Sequence, residues 1–262
     1  MIPTNEIKAW SNVVPWITDE QIEQDLVICR SLVEIFSNKF LAENLVFRGG
    51  TALHKLYLQP QPRYSEDIDL VQVNAEPIKP TIMQLQKKLG FIGKSTVAQK
   101  LNNNTIIFKF EATAPPKNPI RLKVEINCRE HLCIYGHEKV ARVIQSSWYN
   151  GNAELLTYSL EELLGSKMRA LYQRRKGRDL FDLWYAIEHK QIDIEKLIYA
   201  YQKFMEYLPQ PPTKKMYLAN IDQKIQDPEF TNDIHTLLRP GINYENKKAY
   251  EIVKNTIIEK LF

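Results

Sequence analysis

The sequence lacks the features that mark membrane and secreted proteins. No charge-free apolar run approaches the roughly 20 residues that a helix needs to cross a bilayer. Residues 1–6 also lack the basic and then apolar layout of a signal peptide. We therefore expect no membrane span and a cytoplasmic location.

Cysteine is scarce, and the three cysteines have no framework spacing. An odd number of cysteines in a chain of this size argues against obligatory disulfides. Cys128, His131, Cys133 and His137 are close in sequence but match no common zinc module. We interpret them as ordinary strand and loop residues.

Charge of one sign does not dominate the chain, since the formal net charge is only +4 over 262 residues. With 44% hydrophobic and 25% charged residues, the composition is that of a globular protein with one large or two modest domains. The basic residues nevertheless crowd into one stretch, comprising Lys167, Arg169, Arg174, Arg175, Lys176 and Arg178. Such a segment either binds a polyanion or forms a solvent-exposed helix face.

The first half of the chain mixes helices and strands. Thr18 and Gln21 form a capping box that predicts the start of an amphipathic helix. Apolar runs and turn residues predict strands at residues 45–47, 67–71, 105–110 and 120–126, and helices at residues 52–57 and 80–90.

The second half is mainly helical by pattern. Ser159 and Glu162 form another capping box, and apolar residues recur at helical spacing through residue 187. A proline-rich break at residues 208–212 precedes a further predicted helix at residues 247–261. We predict an α+β domain at residues 1–150 and a helical domain at residues 151–262.

Asp67 and Asp69 are the first candidates for chemistry. Alternate side chains of a strand share a face, so these carboxylates point together while Ile68 points into the core. Two such oxygen donors suit Mg²⁺ or Mn²⁺, with remaining coordination sites for water and phosphate. The alternative is a pair of acids at a solvated strand end.

A candidate phosphate-binding segment lies upstream of the acidic pair. Gly49, Gly50 and Thr51 join a predicted strand to a predicted helix, where backbone N–H groups and a hydroxyl can face an anion. Two glycines alone more often form a turn. Their combination with Arg63, Ser65 and the acidic pair is more specific and predicts a nucleotide site.

Four motifs in this order resemble the AbiEii/AbiGii toxin family of nucleotidyltransferases. They are FRGGTAL at residues 47–53, RYSEDIDL at 63–70, EELLGSKMRAL at 161–171 and RRKGRDLFDL at 174–183. The resemblance covers approximately residues 45 to 190.

This resemblance implies a polymerase β-like nucleotidyltransferase core with a mixed sheet, followed by a mainly helical domain. It implies that Asp67 and Asp69 bind metal and a nucleoside triphosphate for nucleotidyl transfer. Some members are toxins that act on tRNA 3′ ends and are encoded beside an antitoxin. We therefore expect an RNA acceptor and a cognate antitoxin, while the sequence leaves the oligomeric state and the base open.

Lys167 lies within an apolar helical stripe, four residues from Leu163 and from Leu171. A buried lysine requires an anionic partner, and a bound triphosphate would supply one. We therefore predict that Lys167 is a catalytic, phosphate-binding residue. The alternative is a lysine that reaches solvent from the edge of the stripe.

Further carboxylates are candidates for proton transfer or for orienting the acceptor. Asp182 is favoured over Asp179, because an acid near a helix N-terminus has an ordinary structural explanation. Glu125 is predicted to face the acidic pair as a third carboxylate that activates the attacking hydroxyl. A surface pairing between Glu125 and Lys123 is the alternative.

The acceptor also has alternatives at this stage. Four basic residues are candidates for steering RNA: Arg169, Arg174, Arg175 and Lys176. A hydroxyl on a small molecule or a protein would be a different acceptor for the same chemistry. A degenerate transferase domain that only binds another protein is the non-enzymatic alternative.

Overall fold

The computed structural model describes residues 2–99 and 103–261, and the chain divides into two compact units. The first unit comprises Met1–Cys133 and His137–Tyr158, and the second comprises Ile134–Gly136 and Ser159–Phe262. The boundary predicted at residues 150 and 151 coincides with the start of a strand in the first unit. No helix of the described part is long and apolar enough to cross a membrane.

A mixed seven-stranded sheet forms the centre of the first unit in the described residues. Its strands are β1 (Leu45–Arg48), β2 (Ile68–Gln72), β3 (Ser95–Gln99), β4 (Asn103–Glu111), β5 (Pro119–Asn127), β6 (Glu138–Gln145) and β7 (Asn150–Thr157). Their order is β3-β4-β5-β2-β1-β7-β6. β1 pairs with β7, and β2 with β5, in parallel, whereas the remaining pairs are antiparallel. The predicted α+β class with a mixed sheet is confirmed.

The helices of the first unit are α1 (Thr4–Trp10), α2 (Asp19–Phe36), α3 (Lys39–Asn44), α4 (Gly49–Ala52) and α5 (Lys79–Lys88). As predicted, the Thr18 hydroxyl accepts a hydrogen bond from the Gln21 backbone at the start of α2. α2 packs against β5, β6 and β7, and it is lined with buried apolar residues. The sheet therefore has one face that belongs to the core of this unit.

The helix predicted at residues 52–57 differs in both its start and its geometry. It already begins at Gly49, and after Ala52 it continues as a π-helical turn, Leu53–Tyr57. The wider turn is compatible with the burial of His54 and Lys55, two polar residues that lie in it. The glycine pair thus opens the helix instead of forming a separate loop.

The second unit is helical in its described residues. Its helices are α6 (Leu160–Gln173), α7 (Gly177–His189), α8 (Ile194–Met205), α9 (Lys214–Ile225), α10 (Pro228–Asn232) and α11 (Asn246–Thr256), with short 3₁₀ turns at His235–Leu237 and Ile258–Lys260. The predicted cap of Ser159 on Glu162 is present at the start of α6. Gly165 lets α6 approach α8, because a Cβ atom there would lie 2.8 Å from the Ala200 Cβ.

Candidate active site

The acidic pair lies at the start of β2, with the predicted alternation. Asp67 immediately precedes the strand and Asp69 is its second residue, and both side chains are partly exposed. Ile68 and Leu70, between and beyond them, are buried in the core. The two carboxylates consequently share the face of the sheet that is opposite to the core.

Glu125 lies beside this pair. In the parallel register of β2 and β5, Asp69 is paired with Glu125, so their side chains share a face at a strand spacing of about 4.8 Å. On the other side of β2, Asp69 is paired with Arg48 of β1. The structure therefore brings Asp67, Asp69 and Glu125 together on neighbouring strands.

More negative than positive charge surrounds the Asp67 carboxylate. Burial and the charges of Asp69, Glu66 and Glu125, against the opposing charge of Lys123, together raise the pKa of Asp67 to about 6. The Lys123 Nζ is 4.0 Å from Asp67 Oδ2. A divalent cation would relieve this repulsion, so the donor set fits Mg²⁺ or Mn²⁺.

Protein side chains alone do not complete a metal site in the described part of the chain. No group of three or more His, Cys, Asp or Glu residues there is arranged to hold a metal ion. Asp67 and Asp69 are the residues that would hold one. A cation bound to two carboxylates keeps coordination sites for phosphate oxygens and water, as a hard divalent ion in a transferase requires.

Gly49 brings the start of α4 against Asp69. Its φ of +76° is strained for any residue with a side chain, and a Cβ atom there would lie 2.0 Å from Asp69 Oδ2. The backbone thus passes directly over the carboxylate. Only glycine allows this approach, which leaves the first turn of the helix next to the acidic pair.

Thr51 and Ser65 hold the segment that carries Asp67. The Thr51 Oγ1 is 2.7 Å from the Ser65 Oγ and donates a 2.5 Å hydrogen bond to the Asp67 carbonyl oxygen. Thr51 is buried, whereas Ser65 is partly exposed. The Thr51 hydroxyl, predicted to face phosphate, therefore contacts protein atoms and positions Asp67.

Arg63 is also placed differently from the prediction. It is one of the largest fully buried side chains, and its Nη1 donates a 2.9 Å hydrogen bond to the Tyr64 carbonyl. A guanidinium enclosed in this way does not face a solvent-accessible nucleotide. Its placement indicates that Arg63 supports the loop before β2.

Sequence reasoning missed Gln24, which ties this loop to β5. Its Nε2 donates to the carbonyl oxygens of Glu66, at 3.2 Å, and of Arg121, at 2.9 Å. Its Oε1 accepts a hydrogen bond from the Tyr64 hydroxyl. The available signal was a polar residue at a position of α2 that is otherwise surrounded by buried residues.

A buried ion pair beneath the site was missed as well. Lys55, on the π-helical turn after the glycines, lies 2.8 Å from Asp25 Oδ2 on α2. The indole N–H groups of Trp10 and Trp16 also donate to this carboxylate. Burial opposes ionisation of Asp25, but the charge of Lys55 and the hydrogen bonds from Lys55 and the two indoles together outweigh it and hold the pKa of Asp25 below its usual value. The pair anchors the helix that begins at Gly49.

Lys167 has protein partners within the second unit. Its Nζ lies 3.1 Å from Asp179 Oδ1 and 3.0 Å from Asp182 Oδ2, and both aspartates are fully buried. Arg174 adds two hydrogen bonds to Asp179, at 2.6 and 2.8 Å. The anionic partner that the sequence analysis expected from a triphosphate is supplied in this structure by two carboxylates on α7.

The predicted RNA-steering residues are largely engaged within the second unit. Arg169 is buried, and its guanidinium carbon lies 5.2 Å from the centre of the Phe204 ring. Three others pair with acids: Arg174 with Asp179, Arg175 with Asp227 and Lys176 with Asp233. These pairings offset much of the positive charge that the sequence places in this stretch.

A family model described as nucleotidyl transferase AbiEii toxin, type IV toxin–antitoxin system, matches residues 30–254. The chain belongs to the AbiEii family. It is therefore a nucleotidyltransferase of a toxin family, whose chemistry takes a nucleotidyl group from a nucleoside triphosphate in a toxin–antitoxin setting. The match includes the Gly49 turn, the acidic pair and Glu125.

Solved structures share the fold of this AbiEii family member at low identity. MenT4, a nucleotidyltransferase toxin from Mycobacterium tuberculosis H37Rv, is 15% identical with a TM-score of 0.64, covering 100% of this chain and 91% of its own. JHP933 from Helicobacter pylori is 16% identical with a TM-score of 0.57, covering 94% of both chains. No curated protein sequence matches the chain. These likenesses show the fold alone.

Proposed function

We propose that this AbiEii family protein is a metal-dependent nucleotidyltransferase whose reaction centre is the face formed by Asp67, Asp69 and Glu125. The observation that carries the proposal is the register of β2 and β5, which places the third carboxylate beside the acidic pair. The close approach of Gly49 to Asp69 supports it, because this leaves the first turn of α4 next to the carboxylates.

The residues of the site have separate proposed roles. Asp67 and Asp69 hold Mg²⁺ or Mn²⁺, which when bound offsets the charge of the triphosphate. The backbone at Gly49 and Gly50 lies against the phosphates at the positive end of the helix. Thr51 and Ser65 keep Asp67 in place through the hydrogen bonds described above.

Glu125 is proposed as the general base. It takes the proton of the acceptor hydroxyl as that oxygen forms a bond to the α-phosphorus, and the bond from this phosphorus to the pyrophosphate oxygen breaks. Pyrophosphate then leaves with the electron pair of that bond. Lys167 and Asp182 are not part of this scheme, because they already pair with each other in the second unit.

We further propose that the acceptor is the 3′ end of an RNA, with tRNA as the first candidate, and that a cognate antitoxin restrains the activity. The toxin family supports both proposals, since modification of an RNA needed for translation would stop growth. The genomic neighbour of the gene is the first place to look for the antitoxin.

The acceptor is tested by incubating the protein with Mg²⁺, total bacterial RNA and each α-labelled nucleoside triphosphate in turn. We expect label on tRNA-sized RNA, removed by ribonuclease, with one base preferred. Glu125→Gln should lower the rate about 10²- to 10⁴-fold without a loss of folding. Label only on protein or on small molecules would overturn the RNA acceptor.

A further inference from the structure

The sheet face that carries Glu125 continues into a row of basic residues on β4 and β5. In the antiparallel register of these strands, Lys109 is paired with Arg121, and Lys123 follows Arg121 by two residues toward Glu125. Directly paired residues and residues two apart share a face of a sheet. The three cations Lys109, Arg121 and Lys123 are here called the basic row. They therefore lie on the same face of the sheet as Asp67, Asp69 and Glu125.

The burial pattern shows that the basic row faces away from the core. The alternate residues of the same two strands are buried, namely Ile106, Phe108, Leu122 and Val124. Lys109 and Arg121 are exposed, and the Lys123 side chain is 41% exposed. Neither Lys109 nor Arg121 forms an ion pair with any residue that the structure describes, so both charges are available to a ligand.

A cavity of about 530 Å³ adjoins the basic row within the first unit. Its lining includes the cations Arg121 and Lys123, the acids Asp67, Glu66 and Glu20, and the amides Gln24 and Asn118. The cavity is large enough for a nucleoside, and its lining is rich in hydrogen-bonding groups. It opens directly beside Asp67, which is proposed to hold the metal ion.

The geometry of transfer places the acceptor on this side. In an in-line displacement, the attacking oxygen and the leaving oxygen lie on opposite sides of the phosphorus. Gly49 approaches Asp69 from β1, on one side of β2, whereas Glu125 and the cavity lie on the β5 side. A triphosphate held at Gly49 therefore leaves the β5 side to the acceptor.

We propose that the basic row binds the phosphates of an RNA strand and directs its terminal hydroxyl to Glu125, with the terminal nucleoside in the cavity beside Asp67. This inference rests on the proposed function and names the surface that selects its substrate. A row of cations in line with the carboxylates suits a polyanionic strand, whereas a small neutral acceptor would not require it. The paired cations Arg175 and Lys176 provide less unpaired charge.

The test compares two double variants that each remove two positive charges from the first unit. Lys109→Ser with Arg121→Ser removes two members of the basic row, and Lys87→Ser with Lys139→Ser is the matched control at exposed sites elsewhere. The probe is a 5′-fluorescein RNA hairpin with a single-stranded 3′ end, followed by anisotropy at several salt concentrations. We expect about tenfold weaker binding for the first variant, and a salt slope smaller by about 1.4.

Two further measurements keep this inference separate from the proposed function. Stabilisation of the first variant by Mg²⁺ with each nucleoside triphosphate should equal that of wild type, because the Gly49 side is untouched. Its rate of nucleotidyl transfer to RNA should fall at least as much as its RNA affinity. Wild-type RNA binding and transfer by this variant would overturn the proposed role of the basic row while leaving the proposed function intact.

Arg175 and Lys176 of the second unit form the alternative RNA-binding surface, which is tested in the same assay. If Arg175→Ser with Lys176→Ser weakens RNA binding and the basic-row variant does not, the inference is overturned in favour of the second unit. If wild type binds the triphosphate but neither binds nor modifies RNA, the proposed acceptor fails and the basic row fails with it.

Discussion

Gly49 lies so close to Asp69 that a Cβ atom on the glycine would be 2.0 Å from the Asp69 Oδ2. The two residues are 20 positions apart in sequence, but Gly49 directly follows Arg48 of β1, which pairs with Asp69 of β2. Their contact joins the turn that starts α4 to the acidic pair. The glycine motif and the Asp-x-Asp motif are therefore parts of one structure.

The first prediction concerns Gly49→Ala. The new methyl group must displace the Asp69 carboxylate or the start of α4, so nucleotidyl transfer should fall by at least about 100-fold, as expected for a misplacement of about 1 Å. Gly241→Ala is the control, since Gly241 has a similar φ of +84° and nothing within 4 Å of its added Cβ. That variant should lose about 1 kcal/mol of stability and retain activity. Equal activity of the two variants would contradict the account.

The second prediction concerns metal binding by Asp67. The fold raises the pKa of this carboxyl from 3.8 to about 6. The ionised carboxylate therefore destabilises the folded protein, and this cost is fully present above pH 6. Asp67→Asn should therefore raise the melting temperature of the metal-free protein at pH 7.5. It should also abolish the stabilisation by Mg²⁺, which Glu76→Gln, at an exposed site beyond β2, should preserve. Calorimetry with and without Mg²⁺ measures both effects.

The third prediction concerns the buried charges of α6 and α7. Lys167→Met would remove the ammonium that lies between the buried carboxylates of Asp179 and Asp182, and removal of one partner of a buried ion pair costs about 3–5 kcal/mol. Urea unfolding should show a loss of this size, with a smaller loss for Lys167→Arg, which keeps the charge. Stability equal to wild type in Lys167→Met would show that the ion pairs do not hold the second unit together.

The fourth prediction is a pH dependence that arises from Lys224. Its ammonium donates to the carbonyl oxygens of Leu171 and Tyr172 at the end of α6, and burial lowers its pKa to about 8. Between pH 8 and the ordinary value of 10.5, the unfolded chain binds this proton and the folded chain does not. Stability should therefore rise with pH across this interval.

The measurement for Lys224 is the difference in unfolding free energy between wild type and Lys224→Met from pH 7 to pH 10. Subtracting the variant removes the titration of other groups. We expect the difference to shift in favour of wild type above pH 8. A constant difference would indicate that Lys224 keeps an ordinary pKa in the folded protein.

The sequence predicts the elements that form the core more completely than those at the edges of the sheet. β4 and β5 were predicted because their apolar residues alternate and are buried on one face. β3 and β6 were missed because they are edge strands with mostly exposed residues, so burial leaves little pattern in them. β7 was missed for a similar reason, since only Leu155 and Thr157 are fully buried in it.

Within the site, the sequence predicts residue types better than the direction in which side chains point. Strand periodicity correctly placed Asp67 and Asp69 on one face, and the pairing of Asp69 with Glu125 adds a register that one sequence does not contain. The protein partners of Thr51 and Lys167 were not predicted, because the partners of a buried polar group come from tertiary contacts. Each was expected to face phosphate, and each has protein partners instead.

The central claim is that the face of Asp67, Asp69 and Glu125 performs metal-dependent nucleotidyl transfer. Its most direct test is a single-turnover transfer assay with labelled nucleoside triphosphate on wild type, Asp69→Asn and Glu76→Gln, each with Mg²⁺ or with EDTA. We expect transfer by wild type and Glu76→Gln only with Mg²⁺, and none by a folded Asp69→Asn protein. Wild-type transfer by Asp69→Asn, or transfer in EDTA, would contradict it.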